Sequence, residues 1–166
     1  MSEPTDTTKL IVAGVDCSRL NQFLAAKNWQ QADRETAAVM LKMAGKSQKI
    51  WLESADVENL PWSFLQTIDR LWVEHSQGHF GFSIQYQIWQ DLGGRIDWET
   101  TCRLGERLGW RMCDRWLGSQ KIHFCQDKST PRGHLPWITW CHLWFWGGAM
   151  GILFCPLLTR WHANRK

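Results

Sequence analysis

The sequence predicts an all-α domain, and three observations carry that reading. Apolar side chains recur at i, i+3 and i+4 in one segment after another. Helix-capping residues and Gly stops bracket those segments. Strand-like alternation is almost absent from the 166 residues. Five or six helices are expected between residues 16 and 136, preceded by a polar lead-in (1–15) and followed by a hydrophobic, Trp-rich tail (137–166).

In chain order, KLIVAGV within the lead-in is short enough to dock as an extended piece. Leu20, Phe23 and Leu24 mark a first short helix. Asn28 caps a second, with Gln31 three residues on, and Gly45 stops it. Its inner stripe is Trp29, Ala32, Thr36, Val39, Met40 and Met43, read as core filling rather than a sulfur ligand set. A loop with a short helix capped by Ser54 follows. Pro61 opens the next helix, whose buried face is Phe64, Leu65, Ile68, Leu71 and Trp72. LWVEHSQGHFGFSIQYQIW then ends one helix, turns through Gly78 and Gly81, and starts another capped by Ser83 or its neighbour. Phe80 and Phe82 in that turn either greet a planar ligand or plug the core between the two helices. Asp97 caps a helix from Trp98 to Leu108, Gly109-Trp110 turns the chain, Lys121 to Cys125 alternates weakly as if extended, and DKSTPRGHLP is loop.

Composition narrows the function. Thirteen Trp give many planar apolar faces, suited to stacking on flat ligands, to a membrane interface, or to filling a small core. A formal charge of +3 without a Lys/Arg cluster argues against nucleic acid. The six Cys form no C-x-x-C and no finger-like spacing with His, which argues against structural zinc; with no secretory signal visible they read as thiols. Catalytic motifs are absent: there is no phosphate loop, no GxSxG and no H-E-x-x-H. The acidic pairs Asp33/Glu35 and Asp56/Glu58 read as solvated surface. His75 and His79 are four apart, but Gly78 between them weakens a metal-binding geometry. His134 is suited to tying down its loop by hydrogen bonds. His142 reads as a polar break in the tail or as an axial ligand to a metallated macrocycle. Trp137 to Leu158 has no Asp, Glu, Lys or Arg and is long enough to span a bilayer. Its Gly and Pro content fits equally a hairpin packed on the domain or dipping into the membrane interface.

Particular strings add to this. NWQQADRETAAVMLKMAG, LPWSFLQTIDRLWVEHSQGHFGFSIQYQIW, then GW and GHLP resemble the GUN4 family of tetrapyrrole-binding proteins of cyanobacteria and chloroplasts. Trp29, Ala32, Asp33, Thr36, Leu71, Trp72, Ser76, Gly78, Phe80 to Ser83, Gln85, Gly109-Trp110 and Gly133 to Pro136 carry the match, over roughly Asp16 to Pro136. The resemblance implies a compact helical "cupped hand" and a non-enzymatic protein binding protoporphyrin IX or Mg-protoporphyrin IX. It implies a regulator or carrier in chlorophyll biosynthesis that stimulates magnesium chelatase through that enzyme's large subunit. The implied location is cytoplasmic or stromal, with the tail peripheral to or anchored in the thylakoid membrane.

On the resemblance, Trp110, Trp116, Phe124 and Trp137 form one wall of the tetrapyrrole site and Leu60 lines the other. Lys121 and Arg132 supply rim cations, and no metal ligand is assigned. The turn aromatics then become structural. Thr139 and His142 stand where the family has Asn and Arg, and Trp62 stands where it has Cys. These departures keep open two alternatives: a bilin-binding or bilin-handling paralogue with Cys125 or Cys141 as thiol partner, and a membrane-associated interaction module that has lost the pigment.

Overall fold

The computed structural model describes residues 9–49, 52–137 and 155–164. The lead-in docks as an antiparallel pair, β1 (Ile11–Val12) with β2 (Val15–Asp16), in register Ile11↔Asp16. α1 (Ser18–Ala25) buries Leu20 and Leu24 against α2 (Trp29–Met43). Asn28 Oδ1 accepts the Gln31 N–H at 3.3 Å, so the expected cap is present, and Trp29, Ala32, Thr36, Val39 and Met40 are buried.

α3 (Ser54–Asn59) starts one residue earlier than Ser54 suggested as a cap. Glu53 is the cap, in a reciprocal box: its N–H reaches Asp56 Oδ2 at 2.8 Å, and Lys46 Nζ holds Asp56 Oδ1 at 2.7 Å. α4 (Trp62–His75) buries Phe64, Leu65, Ile68, Leu71 and Trp72 as the spacing required.

α5 (Phe82–Asp91) is capped by Gly81, and Ser83 is not a cap. The acceptor for the Ser83 N–H is Asp69 Oδ1 at 2.8 Å, reaching across from α4. That partner lies fourteen residues upstream, beyond the reach of any local capping rule. Phe80 and Phe82 are buried, at 0 % and 2 % exposure, and Phe80 packs edge-on to Trp29 with centroids 5.4 Å apart. The turn therefore serves the core. Trp72 donates its indole N–H to Thr36 Oγ1 at 2.9 Å, so the polar atom of α2's stripe satisfies the polar atom of α4's.

Asp33 is a correction to the surface reading: it is fully buried and accepts the Trp137 backbone N–H at 2.6 Å. Its position inside α2's helical stripe, next to Ala32, puts it inward rather than outward.

α6 (Trp98–Arg107) begins at Asp97, whose Oδ1 accepts the Thr100 N–H at 2.7 Å. A second antiparallel pair follows, β3 (Arg111–Met112) with β4 (Arg115–Trp116), turning through Cys113 and Asp114 at positive φ. No alternation announced this hairpin, because it is only two residues a side. Lys121 to Cys125 is not a strand: a 3-10 turn (Ser119–Lys121) leads into irregular chain.

The tail reading falls mostly on residues 138–154, which lie outside the described residues. Its far end is described as α7 (Cys155–Ala163), packed on α3 and α5. Leu157, Leu158 and Trp161 are buried in the same core as the rest of the chain. Arg160 donates to the Glu58 and Leu60 carbonyls, the latter at 2.6 Å, and Trp161 meets Trp62 edge-on at 4.7 Å. Among the described residues no helix is long and apolar enough to cross a membrane.

Gly81 sits at φ +135°, and a Cβ there would lie 2.8 Å from Val73 Cγ2 and 2.9 Å from Asp69 Oδ1. Gly81→Ala is expected to cost about 2–4 kcal/mol from backbone strain plus overpacking, read as a lower midpoint in urea unfolding at an unchanged m-value.

Candidate functional site

The late part of the chain, residues 109–137, builds two adjoining features: a loop bonded into the core and an aromatic ledge beside it. The loop comes first because it supports the ledge. The Gly133 N–H donates to the His79 carbonyl at 2.8 Å, and the Gly81 N–H donates to the Leu135 carbonyl at 3.0 Å. Gln85 Nε2 donates to the Gly133 and Pro136 carbonyls, both at 3.0 Å. His79 Nε2 donates to the Thr130 carbonyl at 2.9 Å, and Gln126 Nε2 donates to the Ser76 carbonyl at 2.7 Å. Gly133 has φ +79°, and a Cβ there would meet Leu108 at 2.8 Å and Ile88 at 2.9 Å, so only Gly lets the loop lie this close.

His134 is the centre of the loop and ties it down as its sequence position suggested. Its Nδ1 lies 2.6 Å from the Leu108 carbonyl, which can only accept, so the proton sits on Nδ1. Its Nε2 is buried without a hydrogen-bond partner. Burial holds the ring's pKa below the ordinary histidine value of 6.5, so the neutral form is the native one. Trp110 donates its indole N–H to the His134 carbonyl at 2.8 Å.

The ledge is made by α6 and the β3–β4 hairpin. Trp98, Cys102 and Gly105 fall at i, i+4 and i+7, on one face of α6. A Cβ on Gly105 would lie 2.2 Å from Trp116, so the Trp116 ring lies flush on the helix backbone there. Trp98 meets Trp116 edge-on with centroids 6.4 Å apart. Trp98 is 53 % exposed and Met112, on the hairpin, is 61 % exposed. Arg111 pairs across the hairpin with Trp116 and holds Glu106 and Asp114 with its two terminal nitrogens. The result is a solvent-facing aromatic surface with an Arg111–Glu106–Asp114 ion-pair cluster at its edge.

The sequence-predicted site residues divide by depth. Leu60, Trp110 and Trp137 are buried, at 2 %, 2 % and 5 % exposure. Trp116 and Phe124 are half-buried, while Lys121 and Arg132 are exposed. Arg132 Nη2 donates to Gln87 Oε1 at 3.0 Å. The structure joins Trp110 and Trp137 to the loop core, sets Trp116 on the ledge, and places Leu60 under Arg160 at the end of α3. Thr139 and His142 lie outside the described residues. Trp98 was not among the predicted residues; the small Gly105 seven positions on, an opening for a ring against the helix, was the available signal. The half-buried Cys125 thiol contacts Asp127 Oδ2 at 3.2 Å and Thr130 Oγ1 at 3.3 Å, and Cys141 lies outside the described residues.

His75 Nε2 is bonded to Asn21 Oδ1 at 2.8 Å and His79 to Thr130, so each has a structural partner of its own. Among the described residues no group of three or more His, Cys, Asp or Glu is arranged to hold a metal ion.

The buried neutral His134 makes stability depend on pH with a definite sign. Its folded pKa lies below its unfolded value, so the unfolded chain takes up the proton first as pH falls through about 6.5. Stability is therefore expected to decline below that pH, by at most about 1.4 kcal/mol per pH unit for this one proton. His134→Gln should flatten that part of the profile, as read from urea unfolding between about pH 7.5 and 5.

Comparison with known proteins fits this geometry. A sequence model described as GUN4-like matches residues 12–149. A Ycf53-like protein of Synechocystis sp. is 35 % identical over 125 residues, covering 74 % of this chain and 51 % of that protein. A chloroplastic tetrapyrrole-binding protein of Arabidopsis thaliana is 35 % identical over 127 residues, covering 70 % and 46 %. The chain thus spans about half the length of these relatives. The ligand-free structure of Arabidopsis thaliana GUN4 superposes with a TM-score of 0.68 at 25 % identity, covering 85 % of this chain and 93 % of that one. GUN4 from Chlamydomonas reinhardtii superposes with a TM-score of 0.69 at 26 % identity, covering 93 % and 95 %. With its loop motif, its helical core and these matches in agreement, the chain belongs to the GUN4-like family.

Proposed function

We propose that this chain is a non-enzymatic tetrapyrrole-binding protein, with the α6–hairpin ledge as the seat of the macrocycle. The observation that carries the reading is the exposed Trp98 beside Trp116, the latter set on Gly105. A porphyrin is flat and apolar over its faces and carries carboxylates at one edge. It matches an aromatic ledge with cations at its border. Trp116 and Phe124 offer contact faces, while Trp110 and Trp137 are buried in the loop core and Leu60 lies at the end of α3 under Arg160. Lys121 and Arg132 are the exposed cations in the chain that follows the hairpin, whereas Arg111 is already paired with Glu106 and Asp114. Membership of a family that includes a named tetrapyrrole-binding protein supports the same reading.

In its finer form, the ligand is protoporphyrin IX or Mg-protoporphyrin IX. The protein then acts as a carrier or regulator in chlorophyll biosynthesis, stimulating magnesium chelatase through its large subunit, beside or free of the thylakoid surface. A chelatase assay with and without the chain tests that step separately from binding.

Binding itself is tested by titrating the chain with deuteroporphyrin IX and following Trp quenching. Saturable quenching at about micromolar ligand is expected, weakened about tenfold by Trp98→Ala or Trp116→Ala, the loss of roughly one aromatic contact. Unsaturable quenching, or variants that bind as well as the parent, would overturn the assignment.

A further inference from the structure

A concave surface lies between α4 and α7, formed by residues that the pigment reading does not use. It has a volume of about 540 Å³, within the range of small-molecule sites. Trp62 and Trp161 stand together at one end with ring centroids 4.7 Å apart. Gln66 and Thr67 from α4 and Asn164 from the end of α7 add polar walls.

Asp69 also lines this cleft and is only 9 % exposed. Its Oδ1 accepts the Ser83 N–H at 2.8 Å, and the Ser83 hydroxyl and Phe82 N–H also donate to the carboxylate, which fixes it at the start of α5 while burial pushes its pKa up from the ordinary value. No ion pair to Asp69 exists among the described residues. These three donors partly compensate the charge and use three of about four acceptor positions, so capacity for one further donor remains. Arg70, the other charged residue on the cleft, directs its Nε to Glu74 at 3.9 Å along its own helix.

A nearly buried carboxylate without a counter-cation, reached through a cleft walled by two indoles, has one complementary ligand chemistry. The charge attracts a cation, and the indole faces favour one that is weakly hydrated and planar or alkyl-substituted. We propose that the Trp62–Trp161–Asp69 cleft binds an organic cation, a guanidinium or alkylammonium group, with its charge on Asp69 and its carbon stem against the indoles. The group comes either on a diffusible amine or on a basic side chain of a partner polypeptide. The proposal is independent of the pigment seat.

The test uses the full chain labelled with ¹⁵N, with the Trp62 and Trp161 indole N–H signals assigned by Trp→Phe variants. The probes are agmatine, an acetyl-Gly-Arg-Gly-amide peptide, and the neutral peptide with citrulline in place of arginine. Saturable shifts of both indole signals at ~1 mM of a cationic probe, with at least about tenfold weaker response to the citrulline peptide, are expected. Agmatine binding as well as the arginine peptide points to a diffusible amine, and a clear preference for the peptide points to a polypeptide partner. Asp69→Asn keeps an acceptor for Ser83 while removing the charge, and should weaken the cationic probes about tenfold. Should Asp69→Asn fail to fold, Thr67→Arg, a change on the outer face of α4, fills the cleft with its own guanidinium and should block the probes to the same degree. Absent saturable shifts in the parent chain, equal binding of the neutral peptide, or undiminished binding in a folded variant would overturn the proposal. Porphyrin quenching of the parent chain is expected to be the same with and without agmatine, so the outcome is read separately from the pigment assignment.

Discussion

The structure depends on one arrangement: the Gly-broken turn from Ser76 to Gly81 is the surface onto which the late loop is bonded. Ser76, His79, Gly81 and Gln85 supply donors or acceptors for residues 126 to 136, which lie about fifty positions further along the chain. Almost all of these bonds use backbone groups on at least one side. A loop that runs this deep must satisfy its own amides and carbonyls, since an unpaired buried polar group costs about 1–3 kcal/mol. The turn does so by offering the Ser76 and His79 carbonyls and the Gly81 N–H, its reversal made by Gln77, Gly78 and Gly81 at positive φ, and the core aromatics beneath it, Phe80 with Trp29 and Trp72, hold it there.

That constraint explains where the tryptophans go. Trp29, Trp72, Trp89, Trp110, Trp137 and Trp161 are buried, and Trp72, Trp89 and Trp110 each spend the indole N–H on an internal acceptor. Most of the described Trp content is thus structural. Of the remainder, Trp98 and Trp116 make the proposed ledge, where Gly105 lets Trp116 lie on α6 and Trp98 faces outward. The loop fixes the hairpin's neighbour Trp110 through His134, and so links the rigidity of the core to the position of the ledge.

Legibility followed the range of the interactions. The stripes of α2 and α4 and the Asn28 and Asp97 caps could be read because each depends on spacing or on a nearby partner. Asp33, the start of α5 and the hairpin could not. Asp33 looked like half of a surface acidic pair, and its partner is 104 residues away. The cap of α5 is answered by a side chain on α4. The hairpin is too short to show a period. Of the proposed ledge, Trp116 was named through the resemblance, whereas Trp98 was not, because a helix N-terminal Trp carries no local sign of exposure.

By itself, the sequence determined the helical class, the position of most helices and the family strings that name the fold. These follow from side-chain periodicity and from local hydrogen bonds, which act within a turn or two of helix. Tertiary structure alone decided which aromatics are core and which face solvent, that Asp33 points inward, and that Leu157, Leu158 and Trp161 return to the core. Burial is a property of what packs against a residue, and for each of these the packing partner is supplied by a distant part of the chain.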